Sequence, residues 1–423
     1  MKKLIPILVL SLLWASCKDP DADPKLPVGR DDIALSRAEE EIALATNAFS
    51  ARLMGQLADI GASDLDGSMP DNFVVSPLSL SMALSMTANG TEGNTRSEIL
   101  DVLGFEDADI AAANSLNSKL TAQLPKLDPK TKVSFANALW VDANMDCSLR
   151  PEFSEVLSKV YDAPTAPVNG LGTVEGMDII NSWSAHHTNN LIPRLLHNPL
   201  SPNSLMALTN ALYFKGTWAI KFDKSRTSRA DFYNSDGTSS RVDMMRKDAL
   251  SAQAFEDEGY KAAAFGYGNG AYSLIVVMPD WGVNPAKAFA AIDPADLHSL
   301  VIDGSFTTRL DVKLPRFTVE NGTDMIPVLK AMGIREAFTT AGDFSAMWAS
   351  DPGEFFISTV LQRAKIVVDE EGSEAAATTI ANGSLTSPGP VQSSDFIVDR
   401  PFAFAIVERS TGVILFAGVV NKL

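Results

Sequence analysis

The chain has few residues equipped for catalysis. It carries four histidines and two cysteines in 423 residues, whereas a hydrolase needs a nucleophile held beside a base. No G-x-S-x-G elbow, no H-E-x-x-H pair and no glycine-rich phosphate loop occurs in it. We therefore assign no catalytic residue, expect no enzyme activity and expect no cofactor. His186, His187 and His197 lie close together, yet no carboxylate or cysteine partners stand at ligand spacing. We read them as residues of a solvated helix and expect no metal. Cys17 and Cys147 are far apart and give no disulfide framework; Cys147 reads as a lone thiol near the end of a strand.

The most informative stretch is the run Val367-Val368-Asp369-Glu370-Glu371-Gly372-Ser373-Glu374-Ala375-Ala376-Ala377-Thr378-Thr379. A polar segment with Gly, Ser and Pro continues it to about Asp399. Alanine and threonine at nearly every place bury little area and make poor core. They suit a segment that slides between existing strands. Side chains alternate faces along a strand, so Ser373, Ala375, Ala377, Thr379 and Ala381 would face inward and Glu374, Ala376 and Thr378 outward. The one charge then stays out of the core, where unpaired it would cost several kcal/mol. An Ala-rich linker has the same composition.

The elements that must hold such a loop are legible around it. Ser36-Arg37-Ala38-Glu39 has capping-box spacing, and Ile42, Ala45, Phe49, Leu53 and Leu57 recur at helical intervals. A second helix starts near Ser76-Pro77 and stops at Asn89-Gly90. Strands read in Val133–Val141, Tyr272–Met278 and Leu310–Leu314. The chain ends in a hairpin, Phe402–Val407 and Val413–Val420 around Ser410-Thr411-Gly412. Helices first and strands later predict an α+β domain. With 46% hydrophobic and 21% charged residues, the chain can build one large core. Its 35 basic and 52 acidic residues give a charge of −17, which excludes a phosphate-tracking surface, so no nucleic-acid partner is expected.

The N-terminus reads as an export segment. Lys2 and Lys3 precede an apolar run, Leu4 to Leu13, too short to remain as a spanning helix. Leu13-Trp14-Ala15-Ser16-Cys17 resembles the lipobox of bacterial lipoproteins. That resemblance implies removal of residues 1–16 as a signal peptide, acylation of Cys17, and an outer-membrane lipoprotein at the cell surface or periplasmic face; an ordinary signal peptide is the alternative. The lipid anchor is the only membrane contact expected. Residues 17–38 are expected to form the lipid-bearing cysteine and a flexible acidic, Pro-containing tether. The folded domain would follow, over 39–423.

The hinge Glu370-Glu371-Gly372-Ser373-Glu374-Ala375-Ala376-Ala377-Thr378 closely resembles that of inhibitory serpins. Further signatures of that family follow in the same order, from about Ile42 to Leu423. They are Asn72-Phe73-Val74-Val75-Ser76-Pro77-Leu78-Ser79, Ala136-Asn137-Ala138-Leu139-Trp140, and Ile180-Asn181-Ser182-Trp183 with Thr188 and Ile192. Thr209-Asn210-Ala211-Leu212-Tyr213-Phe214-Lys215-Gly216-Thr217-Trp218, Leu314-Pro315-Arg316-Phe317 and Asp399-Arg400-Pro401-Phe402 complete the set.

The resemblance implies a serpin fold with about nine helices, three β-sheets and an exposed reactive-centre loop over about residues 370–399. It implies a monomer that traps serine, or cysteine, endopeptidases as a covalent complex after loop cleavage and insertion. By the family pattern Ser76, Ser79 and Asn210 sit where the main sheet parts, and Trp218 lies near the point where insertion begins. The family usually has a histidine where this chain has Gln362, so less pH dependence of opening is expected there. Family spacing from Gly372 places the attacked bond at Thr386-Ser387, with Leu385 as the nearest alternative; measured back from Pro401 it moves toward Pro390. No Lys or Arg occurs between Gly372 and Asp399, so elastase-like or subtilisin-like targets are expected.

Overall fold

Helix α1 (Arg37–Ile60) begins with reciprocal capping. The Ser36 amide donates to Glu39 Oε2 at 2.7 Å and the Glu39 amide to Ser36 Oγ at 3.4 Å. Burial raises the Glu39 carboxyl, but hydrogen bonds from Lys119, Ser36 and Ser115 outweigh it and hold the group at about 2. Helix α2 (Pro77–Ala88) starts at an N-cap Ser76 with proline in its first turn. The computed structural model describes residues 30–60, 71–145, 148–163, 165–188, 190, 192–202, 204–303, 307–350, 353, 355–373 and 393–423.

The other helices are α3 (Gly93–Leu103), α4 (Ile110–Gln123), α5 (Pro151–Tyr161), α6 (Val174–His187), α7 (Pro285–Ala290), α8 (Pro294–His298) and α9 (Ile326–Met332). The first eight strands are β1 (Phe73–Val75), β2 (Thr131–Asp142), β3 (Thr165–Val168), β4 (Met206–Thr217), β5 (Ser228–Tyr233), β6 (Ser239–Asp257), β7 (Tyr260–Tyr267) and β8 (Tyr272–Pro279). Then come β9 (Thr307–Pro315), β10 (Phe317–Asp324), β11 (Thr359–Val368), β12 (Gly372–Ser373), β13 (Ser394–Ile397), β14 (Phe402–Glu408) and β15 (Ile414–Val420). The α+β class expected from sequence is the one found.

The main sheet has the order β10-β11-β4-β2-β3, with β12 also paired to β4. A second sheet, β1-β15-β14-β8-β7, continues through β6 into a third made of β5, the first part of β6, β9 and β13. The join is a bulge: register shifts between Lys247 and Leu250, and Ala249 takes φ +49. The terminal hairpin forms the center of the second sheet, where Phe402, Phe404, Phe416 and Val420 are fully buried. Gly412, φ +73, makes its turn. On the outer face of the main sheet, α6 and the linker that follows it seal a separate apolar cluster that includes Trp140, Ile180, Leu195 and Leu196.

The expected boundary of the tether moves. Residues 30–36 lie within it, yet Ile33 is buried and its amide donates to Ser410 Oγ at 3.0 Å, while Arg30 NH1 donates to Gly270 O at 3.3 Å. One apolar side chain with a site on the body suffices to dock the stretch before α1. Cys17 and Cys147 lie outside the described residues.

Candidate functional site: a seam in the main sheet

Strands β4 and β11 run parallel as neighbours, but only part of their length is paired. The ladder covers Thr359–Arg363 against Ala207–Ala211 and stops. Above it, the Ala364–Val368 half of β11 keeps its antiparallel partner β10 but has none on the β4 side among the described residues. Into the top of this gap the chain turns back on itself. Gly372 and Ser373 form β12, antiparallel to Thr217 and Gly216 of β4.

Gly372 is required by both space and backbone. Its φ is +141, and a Cβ there would stand 2.1 Å from the Gly216 carbonyl oxygen and 2.6 Å from Thr217 Cα. Ser373 faces inward, 1% exposed, with its hydroxyl 2.7 Å from the Tyr267 hydroxyl. Tyr267 is itself buried, which pushes its phenol up. Trp218 stacks on that ring, centroids 4.6 Å apart and planes 7° apart. Its indole N–H donates to Asp369 O at 2.7 Å and its amide to Glu371 O at 2.8 Å. The structure thus puts Trp218, Glu371, Gly372 and Ser373 together at the mouth of the gap. Glu374, Ala375, Ala376, Ala377, Thr378, Leu385, Thr386 and Ser387 lie outside the described residues.

A clasp missed from sequence closes the turn. Glu370 is 1% exposed and takes a bidentate pair from Arg316, Nε at 2.8 Å to Oε2 and NH2 at 2.5 Å to Oε1, plus the Thr227 hydroxyl at 2.5 Å. Burial raises the Glu370 carboxyl, and the Arg316 and Thr227 hydrogen bonds overcome it, so its net shift is downward. Glu371 pairs with Lys221 and, at 3.3 Å, with Lys224; the Lys221 hydrogen bond leads in lowering its carboxyl. Carboxylates held low contribute stability above their usual range, and lose it as pH falls through the lowered value. The clasp therefore survives acid to below the ordinary glutamate range. Arg316 was visible in the Leu314–Phe317 motif, but nothing local announced a partner 54 residues away.

Removing the acid should loosen the turn. Because Arg316 keeps 40% exposure, Glu370→Ala is expected near the low end for a broken buried pair, about 3 kcal/mol. That corresponds to a melting temperature lower by about 4 °C for a domain of this size, read by differential scanning calorimetry of the uncleaved chain.

Further down, the sheet is pinned from behind at the N-terminus of α2. Gln362 on β11 accepts from the Ser76 amide at 2.8 Å and donates to Ser76 O at 2.8 Å and Asn210 Oδ1 at 3.3 Å. Asn210 on β4 donates to Ser79 O at 3.2 Å and to Asn137 Oδ1 on β2. Ser76 Oγ donates to Leu415 O at 2.8 Å. Ser76, Ser79, Asn210 and Gln362, singled out from sequence, meet here in one buried network across the seam. The glutamine amide both donates and accepts without titrating. Gln362→Ala would strand the Ser76 amide, whereas the Ser76 carbonyl keeps the Leu80 amide at 3.1 Å, so we expect a loss of about 1–3 kcal/mol in urea unfolding.

The histidines do not share one solvated helix. His187 ends α6 and lies against Trp183 one turn back, centroids 4.8 Å apart and planes tilted by 37°. His197 lies beyond α6 on the linker to β4 and meets Arg363 NH2 at 2.8 Å.

The chain is similar to known proteins along nearly its whole length. The family model described as "Serpin (serine protease inhibitor)" matches residues 44–423. Intracellular coagulation inhibitor 2 of Tachypleus tridentatus is 33% identical over 394 residues, 92% of each chain. Iripin-3 of Ixodes ricinus is 33% identical, covering 91% of this chain and 95% of its own. The thermophilic serpin Tengpin in its native state superposes with a TM-score of 0.81 at 27% identity, covering 94% of this chain and 98% of its own. Nine α-helices among the described residues, three sheets and these matches agree: the chain belongs to the serpin family, whose members are generally protease inhibitors.

Proposed function

We propose that this chain inhibits serine endopeptidases as a suicide substrate, trapping them through insertion of its own loop into the β4–β11 seam. The observation that carries the proposal is the register of β12. Gly372 opposite Thr217 and Ser373 opposite Gly216 begin a strand that, continued down β4 to Met206, would take in residues 372–383. On its inward face would stand Ser373, Ala375, Ala377, Thr379, Ala381 and Gly383, all small. The proposed bond Thr386-Ser387 follows after Ser384 and Leu385.

The protease serine attacks the Thr386 carbonyl carbon, forming an ester and releasing the Ser387 amine. The freed loop enters the seam and carries the esterified protease to the opposite pole. A displacement of about 1 Å in its catalytic groups costs on the order of a hundredfold in rate, so the ester persists. Entry of about twelve residues supplies around 10 kcal/mol at roughly 1 kcal/mol per net hydrogen bond. The uncharged Leu385-Thr386-Ser387 segment favours elastase-like and subtilisin-like targets over trypsin-like ones. Mixing the domain with pancreatic elastase, neutrophil elastase, subtilisin and trypsin tests this. A denaturation-resistant complex with the first three is expected, whereas cleaved chain without complex would identify a substrate and no reaction a binding protein. Mass spectrometry should place the cut within 382–391.

We further propose, on the lipobox resemblance of Leu13–Cys17, that Cys17 carries an acyl anchor, each buried methylene of which would contribute about 0.8 kcal/mol to membrane binding. Labelled palmitate supplied to expressing bacteria should enter the full chain and be absent from Cys17→Ser.

A further inference from the structure

The linker between α6 and β4 crosses the outside of the seam. Its Ile192, Leu195 and Leu196 pack in one apolar cluster with Ala207 of β4 and Leu361 of β11, the facing strands themselves. Asn181 of α6 fixes the linker's near side, accepting from the Leu195 and Leu196 amides at 2.8 Å each. On the far side stands the 2.8 Å contact between His197 Nε2 and Arg363 NH2. Arg363 is the last residue of β11 paired with β4, opposite Ala211. Its side chain is 12% exposed, its Nε is buried without a partner, and its NH1 lies 3.6 Å from Glu320 on β10.

A guanidinium only donates and stays charged. The imidazole nitrogen facing it must therefore offer a lone pair, so His197 is neutral when the contact is made. Protonation replaces that lone pair with N–H and sets two cations against each other. The other charges nearby are Glu320 and Lys365, paired at 2.9 Å behind Arg363; Arg194 is the other charged residue of the linker. Entry of a strand between β4 and β11 moves them apart by one strand spacing, about 4.8 Å, which a 2.8 Å bond across the seam cannot follow. Gln362, one residue before Arg363, leaves the network below without a titrating side chain.

We infer that His197 and Arg363 are positioning residues that clamp the linker across the seam, hold strand entry back, and let go when His197 takes up a proton. This rests on the insertion reading above, with protonation speeding entry.

Hydrogen exchange of the full chain, resolved by peptide and corrected for intrinsic pH dependence, tests the clamp without requiring insertion. Between pH 7.5 and 5.5, exchange over residues 192–202 and 359–363 should quicken on the order of fivefold, with β8 unchanged. His197→Gln, whose amide oxygen accepts from Arg363 at either pH, should remain slow at both; His197→Ala should be fast at both. Wild-type exchange equal at the two pH values, His197→Gln following wild type, or His197→Ala slow at pH 7.5 would each overturn the clamp. Stabilisation on loop cleavage, measured in parallel in His197→Gln, separates the two ideas: its absence would count against insertion and leave the exchange result standing.

Discussion

Ser373→Arg is expected to turn the chain from a trap into a substrate, with covalent complex falling from the main product to a trace while loop cleavage continues. Ser373 is already in the seam, 1% exposed, and among the described residues its hydroxyl meets that of Tyr267. An arginine at this site must either bury an unpaired cation, at several kcal/mol, or hold the first residues of the strand out. Trapping depends on entry outrunning deacylation. A barrier higher by about 3 kcal/mol slows entry more than a hundredfold. Quantifying complex against cleaved chain on a denaturing gel, at equal protease, reads the partition. Ser373→Ala, which loses one hydroxyl contact and adds no charge, should retain most of the complex. An unchanged yield in Ser373→Arg would mean that the Gly372–Ser373 pairing with β4 is no start of an inserted strand.

What was legible in the sequence was local. The Ser36 capping box, the Ser76-Pro77 start of α2 and the Gly412 hairpin are spelled out within a few residues each, and the structure has all three where expected. Of the hinge, Gly372 and Ser373 pair with β4, while Glu374 to Thr378 lie outside the described residues. The seam was not legible. That β4 and β11 pair over five residues and then part is a relation between strands some 150 positions apart, and only family likeness pointed to it. The same distance hid the Arg316–Glu370 clasp, although both partners were in view as members of separate motifs.

The single span of β6 across two sheets also escaped, since its bulge at Ala249 needs no glycine to mark it. His197 misled for a related reason. Proximity to His186 and His187 suggested a shared helix, but α6 ends at His187 and the linker delivers His197 to another strand. Small residues along the loop suggested a segment able to slide, while the gap between β4 and β11 is a relation between distant segments.

Trapping by insertion requires a fold held short of its most stable arrangement by an unfilled place in its main sheet. The direct test is to nick the loop of the purified domain within 382–391 using a catalytic amount of protease, remove the protease, and compare thermal unfolding before and after. A gain of around 10 kcal/mol spread over a domain of this size corresponds to a rise in melting temperature of roughly 10 °C or more. Such a rise, with both fragments still associated, is the expected result. An unchanged or lower melting temperature after a complete cut would show that the seam stores no free energy and would contradict inhibition by trapping.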